Sequence, residues 1–365
     1  MPTDAVDWEL AQRVAARVSG ADPFQGSYQL DSLVPDFEEL TAEAEELVAR
    51  ETGLRSSAGP ARVRVTDRQG WVTANVRSFK RLLGPLTDRL LRTRDGAPKR
   101  GPGVVSSRVA GVEVGTMLGW MSTRVLGQYD LLLLEDEDPL DQDLVYYVGT
   151  NVLSLERRYA FPPREFRLWL ALHETTHRAQ FTGVPWLAPY YRSLVEGIVA
   201  SVDPDPARLA DALRRAVAET RAGHNPLDDG GLIGLLANES QRGTLEKVGG
   251  LMALLEGHGD VTMDRAGADR IPSAERFSRV LRARRAASPG PARIVRKLVG
   301  FEAKLRQYEL GEAFIAAVED AGGPQLVAEV WNGPENLPNM SEIRAPGSWI
   351  ERMGASPVSR PVPAG

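Results

Sequence analysis

The feature that most constrains the fold is a segment of twenty residues, 164–183, whose apolar side chains repeat at the spacing of an α-helix. The repeat consists of Phe166, Trp169, Leu170, Leu172 and Phe181. Prolines at 162 and 163 come directly before the segment, and Gly183 and Pro185 follow, which is typical of the start and end of a helix. The pattern therefore predicts a long, largely apolar helix that other parts of the chain must cover.

Three polar residues lie inside this apolar helix and form the pattern His-Glu-x-x-His: His173, Glu174 and His177. Residues four apart lie one turn apart on one helix face, so both imidazoles can bind one ion. Glu174 is offset by about 100° from His173, which leaves it free to act as general base on a water at that ion. Burying the three groups without partners would cost free energy. A bound metal accounts for all of them, whereas the alternative is two core histidines with ordinary hydrogen bonds.

The chemistry of the remaining ligands is restricted because the chain has no cysteine and only 4 histidines in 365 residues. We therefore predict Zn2+ held by histidine and carboxylate groups, with a third protein ligand and an open position for water. The segment 254–264 concentrates ionisable groups after an apolar helix and offers both Glu256 and His258. These two lie about 200° apart on a regular helix, so both are not expected to be ligands.

Glu256 is the preferred third ligand, because later-helix ligands of His-Glu-x-x-His enzymes are commonly glutamates. His258 is the main alternative, and Asp260, Glu196 or no third ligand stay open. With Glu256 as ligand, Asp260 would orient a ligand histidine, and His258 would become a candidate hydrogen-bond donor in the transition state. Tyr190 and Tyr191 follow the motif closely enough to offer a phenol to an oxyanion. Packing of the two tyrosines in the core or at a rim is the simpler interpretation.

The rest of the chain predicts a mainly α fold with a small β element. The predicted helices cover 4–19, 35–52, 71–93, 108–126, 206–220, about 240–256 and 274–321. Thr3 or Asp4 is expected to cap the first helix, and a break is expected near Gly84 in the third. The predicted strands cover 61–66, 131–134 and 145–152. Gly111, Gly115 and Gly119 recur at every fourth residue, which predicts close packing against a neighbouring backbone. By analogy with zinc peptidases, the strand 145–152 is expected to pair with an extended substrate.

The predicted organisation is an N-terminal helical region at 1–130, a catalytic region at 131–350 and a flexible tail at 351–365, or one integrated domain. The acidic run between 135 and 143 is interpreted as a solvated loop. The net charge is -5, which gives no support for nucleic-acid binding. No signal peptide or membrane span is evident, so we predict a cytoplasmic protein without membrane partners.

Four segments resemble one known family, the actinobacterial zincin-like metallopeptidases. They are the motif run Phe166–Phe181, Val125–Asp130, Leu254–His258 and Lys304–Gly311, within a resemblance that spans roughly residues 5 to 350. The Asp7-Trp8 start is similar to a branch associated with biosynthesis of the deazaflavin coenzyme of actinobacteria. The resemblance implies a mainly helical zincin-like architecture, zinc at His173 and His177, and a catalytic role for Glu174. It does not imply a substrate.

Two functions from different classes remain open at this point. The first is a zinc-dependent hydrolase, most simply a metallopeptidase acting on a peptide or amide bond, with Glu174 as general base. The second is a catalytically silent, metal-stabilised binding protein that serves a biosynthetic or regulatory complex. The basic stretch 270–306 favours the second, because it could dock an acidic protein partner. The intact Glu174 favours the first, because a silent site needs no general base.

Overall fold

The computed structural model describes residues 5–24, 26–90, 104–129, 143–201, 239–286 and 301–354. The chain forms two compact units, one of Met1–Gly183 with Met263–Arg282, the other of Val184–Thr262 with Ala283–Gly365. The predicted boundaries at 130 and 350 stay a prediction, and the tail beyond 354 lies outside the described residues. Within the described ranges, no helix is long and apolar enough to cross a membrane.

The first unit combines helices with a small sheet, as the sequence predicts. Its elements in chain order are α1 (Trp8–Ser19), α2 (Tyr28–Asp31), α3 (Leu33–Thr52), β1 (Arg62–Thr66), α4 (Arg68–Leu90), α5 (Val104–Ser122), β2 (Gly127–Tyr129), β3 (Leu144–Val148), α6 (Gly149–Tyr159) and α7 (Pro163–Gly183). Asp7, and not Thr3 or Asp4, caps α1, since its side chain accepts the Leu10 N–H at 3.0 Å. The predicted break near Gly84 does not occur, because α4 continues to Leu90.

The sheet has the order β1-β3-β2, so β3 is its central strand. β1 pairs with β3 in parallel and β2 pairs with it antiparallel. Every residue of β3 is buried, as expected for a strand covered on both faces. The Tyr147 ring stacks on Phe37 of α3 at 3.8 Å, and its hydroxyl shares a 2.9 Å hydrogen bond with Thr41. These contacts fix α3 on the sheet, and burial raises the pKa of the Tyr147 phenol.

The predicted strand 145–152 is wrong in its second half, because the chain enters α6 at Gly149. A Cβ at Gly149 would lie 2.9 Å from side-chain atoms of Leu30 and Leu33, so a larger residue there would require those side chains to shift. The Asn151 amide donates to the carbonyl oxygens of Ser122 and Val125, at 2.7 Å each. These hydrogen bonds of the Asn151 side chain favour the start of a helix at this point over continuation of the buried strand β3. The predicted strand 131–134 and helix 206–220 lie outside the described residues.

Helices α1 and α5 approach each other closely, as the glycine repeat predicts. Gly111, Gly115 and Gly119 face the backbone of Asp7, Ala11 and Ala15, and a Cβ on any of them would overlap a carbonyl oxygen of α1. The predicted close packing against a neighbouring backbone is therefore confirmed. Next to this contact lies a core cluster that includes Trp71 and Leu118.

The first unit is completed by residues that follow much later in the chain. They come from the end of α9 (Glu239–Gly267) and from α10 (Ala274–Ala286). The Phe277 ring packs edge-on against three rings of the motif region, with centroids 4.8 Å from Phe161, 5.2 Å from Phe166 and 6.1 Å from Trp169. This aromatic cluster covers the apolar side of α7 that the sequence required to be buried.

The second unit is helical throughout the part that the structure describes. Besides most of α9, it contains α8 (Leu187–Ser201), α11 (Phe301–Ala328), two 3-10 turns at Glu329–Trp331 and Pro334–Asn336, α12 (Met340–Arg344) and α13 (Pro346–Arg352). Gly257 of α9 meets the backbone of Gly311 of α11 with no room for a Cβ on either residue. The two helices therefore cross at backbone contact immediately beside Glu256 and His258.

Candidate metal centre

His173 and His177 lie on one face of α7, as their spacing predicts. Their rings are 4.7 Å apart between centroids and nearly perpendicular, at 87°. Both side chains are half-buried, in contrast to the fully buried residues on either side of them. The helix therefore presents two neighbouring imidazoles at a position that is only partly closed to solvent.

Gln180 orients one of these imidazoles. Its Oε1 lies 3.0 Å from Nδ1 of His177, one helical turn further along α7, and Gln180 is completely buried. An amide oxygen only accepts hydrogen bonds, so Nδ1 is the donor here, and a neutral ring with its proton on Nδ1 has its lone pair on Nε2. This is the tautomer that a metal ligand requires. The sequence analysis did not single out Gln180, although its i+3 position on a helix was sufficient to suggest the contact.

Glu174 is buried and its carboxylate is directed at strand β2. Its Oε2 accepts the backbone N–H of Tyr129 at 2.9 Å. Gly127, two residues earlier, lies so close that a Cβ there would be 2.5 Å from Oε1 of Glu174. Sequence reasoning missed both residues, because they are more than forty positions away from Glu174 along the chain. The only indication was the resemblance of Val125–Asp130 to the family segment.

Buried ion pairs hold the opposite side of α7. Arg178, with a side chain only 1% exposed, forms two hydrogen bonds to Asp143 at 2.9 and 2.6 Å and a third to the Gly59 carbonyl at 2.8 Å. It also pairs with Glu45 of α3. Asp143 belongs to the acidic run interpreted as a solvated loop, and for this residue that interpretation is wrong, because its carboxylate neutralises a buried guanidinium. The run from 135 to 142 lies outside the described residues.

A second arginine, Arg167, anchors the first half of α7. It binds both carboxylate oxygens of Glu156 at 2.8 Å and pairs with Asp36 of α3. Burial alone would lower the pKa of this guanidinium. The hydrogen bond and negative charge of Glu156, together with the charge of Asp36, have the larger effect, so the pKa is raised. Arg167 therefore stays charged, and α7 is fixed at both ends of its buried side.

Glu256 and His258 are both buried on α9. Ligand atoms of His173 and His177, both on α7, lie within 4.8 Å of each other. A tetrahedral zinc ion with bonds of about 2.0–2.2 Å holds its ligand atoms roughly 3.5 Å apart, so two imidazoles this close together suit one ion. His258 instead packs its ring edge-on against Trp331, at 5.1 Å between centroids. Two imidazoles and one carboxylate match the donor set of catalytic zinc sites.

The remaining predicted site residues are Tyr190, Tyr191 and Asp260. Tyr190 lies edge-on to Trp186, at 6.0 Å between ring centroids. Burial raises the pKa of the phenols of Tyr190 and Tyr191, so both stay protonated at neutral pH. Asp260 is half-buried on α9. The roles predicted for Tyr190, Tyr191, Asp260 and His258 stay predictions.

Comparison with known proteins gives one family and one solved structure. A family model described as zincin-like metallopeptidase matches residues 6–350. A protein from Chloroflexus aurantiacus, described as a candidate hydrolase with a novel fold, is similar over 96% of this chain and 99% of its own, with 31% sequence identity and a TM-score of 0.69. A search of curated proteins finds no match.

Proposed function

Because this chain belongs to the zincin-like metallopeptidase family, we propose that it is a zinc-dependent hydrolase that cleaves a peptide or related amide bond. The observation that carries the proposal is the arrangement on α7. Two adjacent imidazoles face one position, and the carboxylate between them in sequence is held in place on β2. A helix that served only as scaffold would have no need of this combination.

His173, His177 and Glu256 are the residues that would hold the metal. Glu256 is preferred to His258, because the ring of His258 packs against Trp331. Three protein ligands leave a fourth position for water, which is the pattern of catalytic zinc sites. The tautomer that Gln180 imposes on His177 supports the same assignment.

Glu174 would carry the proton transfers of the reaction. A zinc ion bound at the site would lower the pKa of a water molecule to about 7 and polarise the substrate carbonyl. Glu174 takes the proton of the attacking water and then delivers it to the leaving amine. Its Oε2 accepts the Tyr129 N–H, which orients the carboxylate for this role.

The test compares native protein with Glu174→Gln on a mixture of internally quenched fluorescent peptides. General acid–base catalysis contributes about 10²–10⁴-fold, so we expect a rate loss of that order while about one zinc per chain is retained by mass spectrometry. Glu38→Gln, an exposed carboxylate on α3, is the matched control and keeps the native rate. An unchanged rate in Glu174→Gln would exclude this mechanism, and a native protein that takes up no zinc would exclude the metal site.

Three arginines of the basic stretch form contacts within the chain, which counts against the rival function of a silent binding protein. Arg270 pairs with Glu43, Arg276 donates to the carbonyls of Tyr159 and Ala160, and Arg279 pairs with Glu275. These groups are engaged within the chain. An acidic protein partner, a cytoplasmic location and a link to deazaflavin coenzyme biosynthesis stay predictions from the sequence.

A further inference from the structure

Strand β2 is an edge of the sheet, and its pairing determines which backbone groups face outward. The Val148 N–H donates to the Leu126 carbonyl at 2.8 Å, so this residue pair is hydrogen-bonded. In an antiparallel ladder such pairs alternate with non-bonded ones. Gly127 opposite Tyr147, and Tyr129 opposite Val145, are therefore non-bonded pairs. The backbone groups of Gly127 and Tyr129 point away from β3.

Glu174 occupies this outward side of β2. Its Oε2 accepts the outward N–H of Tyr129. Its Cγ and Cδ lie 2.8 Å from the place where a Cβ of Gly127 would be, and Oε1 lies 2.5 Å from it. Any side chain at 127 must therefore push the carboxylate away. Gly127 has an ordinary backbone conformation, since it is not among the glycines with positive φ. A glycine is therefore needed at this position because Glu174 fills the space of a side chain, and not because the backbone makes a turn there.

We propose that Gly127 and the backbone N–H of Tyr129 form a cradle that positions the carboxylate of Glu174. The cradle fixes one oxygen of Glu174 by a hydrogen bond and limits its side-chain rotation by contact, so that the other oxygen is directed consistently. The chemical role of that carboxylate rests on the proposed function, whereas the physical coupling between residues 127 and 174 does not. Gly127 is thus a positioning residue, because it acts through Glu174.

The coupling is tested first on stability, without a substrate. Gly127→Ala is made in the native chain and in a Glu174→Ala background, and the urea midpoint of unfolding is measured for each. We expect Gly127→Ala to lower the midpoint in the native chain and to have little effect once Glu174 is shortened. Gly149→Ala is the matched control, because its Cβ also meets side-chain atoms at close range, 2.9 Å from Leu30 and Leu33, which do not belong to the cradle. It should lower the midpoint equally in both backgrounds.

The positioning role is tested on the peptide whose hydrolysis responds to Glu174→Gln. A misplacement of about 1 Å costs on the order of 100-fold in rate. We expect Gly127→Ala to lower kcat by about that factor with KM and zinc content unchanged. Gly149→Ala should keep kcat. If Gly127→Ala alone does not fold, the Gly127→Ala/Glu174→Ala double variant should still fold.

Three results would overturn the proposal: an equal loss of stability in both backgrounds, a native kcat in Gly127→Ala, or a double variant that fails to fold. These outcomes are distinct from failure of the proposed function. If Glu174→Gln kept full hydrolysis, Glu174 would not be the base, but the stability coupling between Gly127 and Glu174 would remain measurable.

Discussion

Two helix pairs of the first unit are packed by opposite means. α1 and α5 meet through glycines that face the backbone of the neighbouring helix, as at Gly115 and Ala11. α3 and α7 meet through apolar contacts supplemented by buried arginines, as at Arg178 and Glu45. The first contact contains no charged pair among the described residues, whereas the second places a guanidinium in the core.

The difference corresponds to what each helix must do. Close backbone packing brings two helices together but offers few directional groups to define rotation about the helix axis. A bidentate arginine–carboxylate pair has a fixed geometry and therefore defines that rotation. Buried ion pairs add little net stability compared with apolar packing, so we interpret those on α7 as fixing orientation. The helix that needs a fixed orientation is the one that presents His173 and His177.

The largest effect is expected where the charged packing is broken. Arg178→Met leaves Asp143 and Glu45 without their shared guanidinium, which costs about 3–5 kcal/mol when one partner of a buried pair is removed. Urea unfolding measures this loss. Arg164→Met is the control, because Arg164 pairs with Glu39 at the surface with a side chain 63% exposed, and such pairs contribute about 0–1 kcal/mol. Equal effects of the two changes would contradict the comparison.

A smaller effect is expected from Gln180→Leu, which removes the acceptor for Nδ1 of His177. Loss of such a supporting contact lowers metal affinity by about 10–100-fold. Competition for zinc against a chromophoric chelator measures the affinity. Gln180→Glu retains an acceptor oxygen and should keep most of the affinity. A weakened affinity in both variants would mean that Gln180 matters for packing and not for the tautomer of His177.

A loss of similar size, confined to stability, is expected where the glycine packing is broken. Gly115→Ala inserts a methyl group against the Ala11 carbonyl, and such overpacking costs about 1–3 kcal/mol. Zinc affinity should not change, because α1 and α5 carry none of the proposed ligands. Gly84→Ala on α4 has open space around its Cβ and should be neutral or stabilise by up to about 1 kcal/mol. Reduced zinc affinity in Gly115→Ala would show that the α1–α5 contact and the α3–α7 contact are not independent.

The same contrast explains how much could be predicted from the sequence. The glycine repeat and the His-Glu-x-x-His spacing are periodic within one helix, so helical geometry was sufficient to predict both. The partners of Arg178 and Glu174 lie far away along the chain, at Asp143 and at Tyr129. Local periodicity carries no information about such pairs. Asp143 in particular looked like part of a solvated acidic run, because its partner could not be identified without the fold.

The strand predictions failed for a related reason. An apolar run predicts burial but not where a strand ends, so β3 was extended through Gly149 to 152. The expected pairing of this strand with substrate is also wrong, because β3 is the central strand and both of its sides are taken by β1 and β2. Strand order depends on contacts between distant segments, which a single sequence does not display.

The position of Phe277 has a consequence for protein synthesis. The rings of Phe161, Phe166 and Trp169 leave the ribosome about 100 residues before Phe277 does, which at 5–20 residues per second is a delay of about 5–20 s. During that time the nascent chain lacks the ring that later covers this surface. A polypeptide that ends before residue 263 lacks Phe277, so this apolar surface stays uncovered. We therefore expect the truncated product to bind chaperones or aggregate under conditions in which the full-length protein folds.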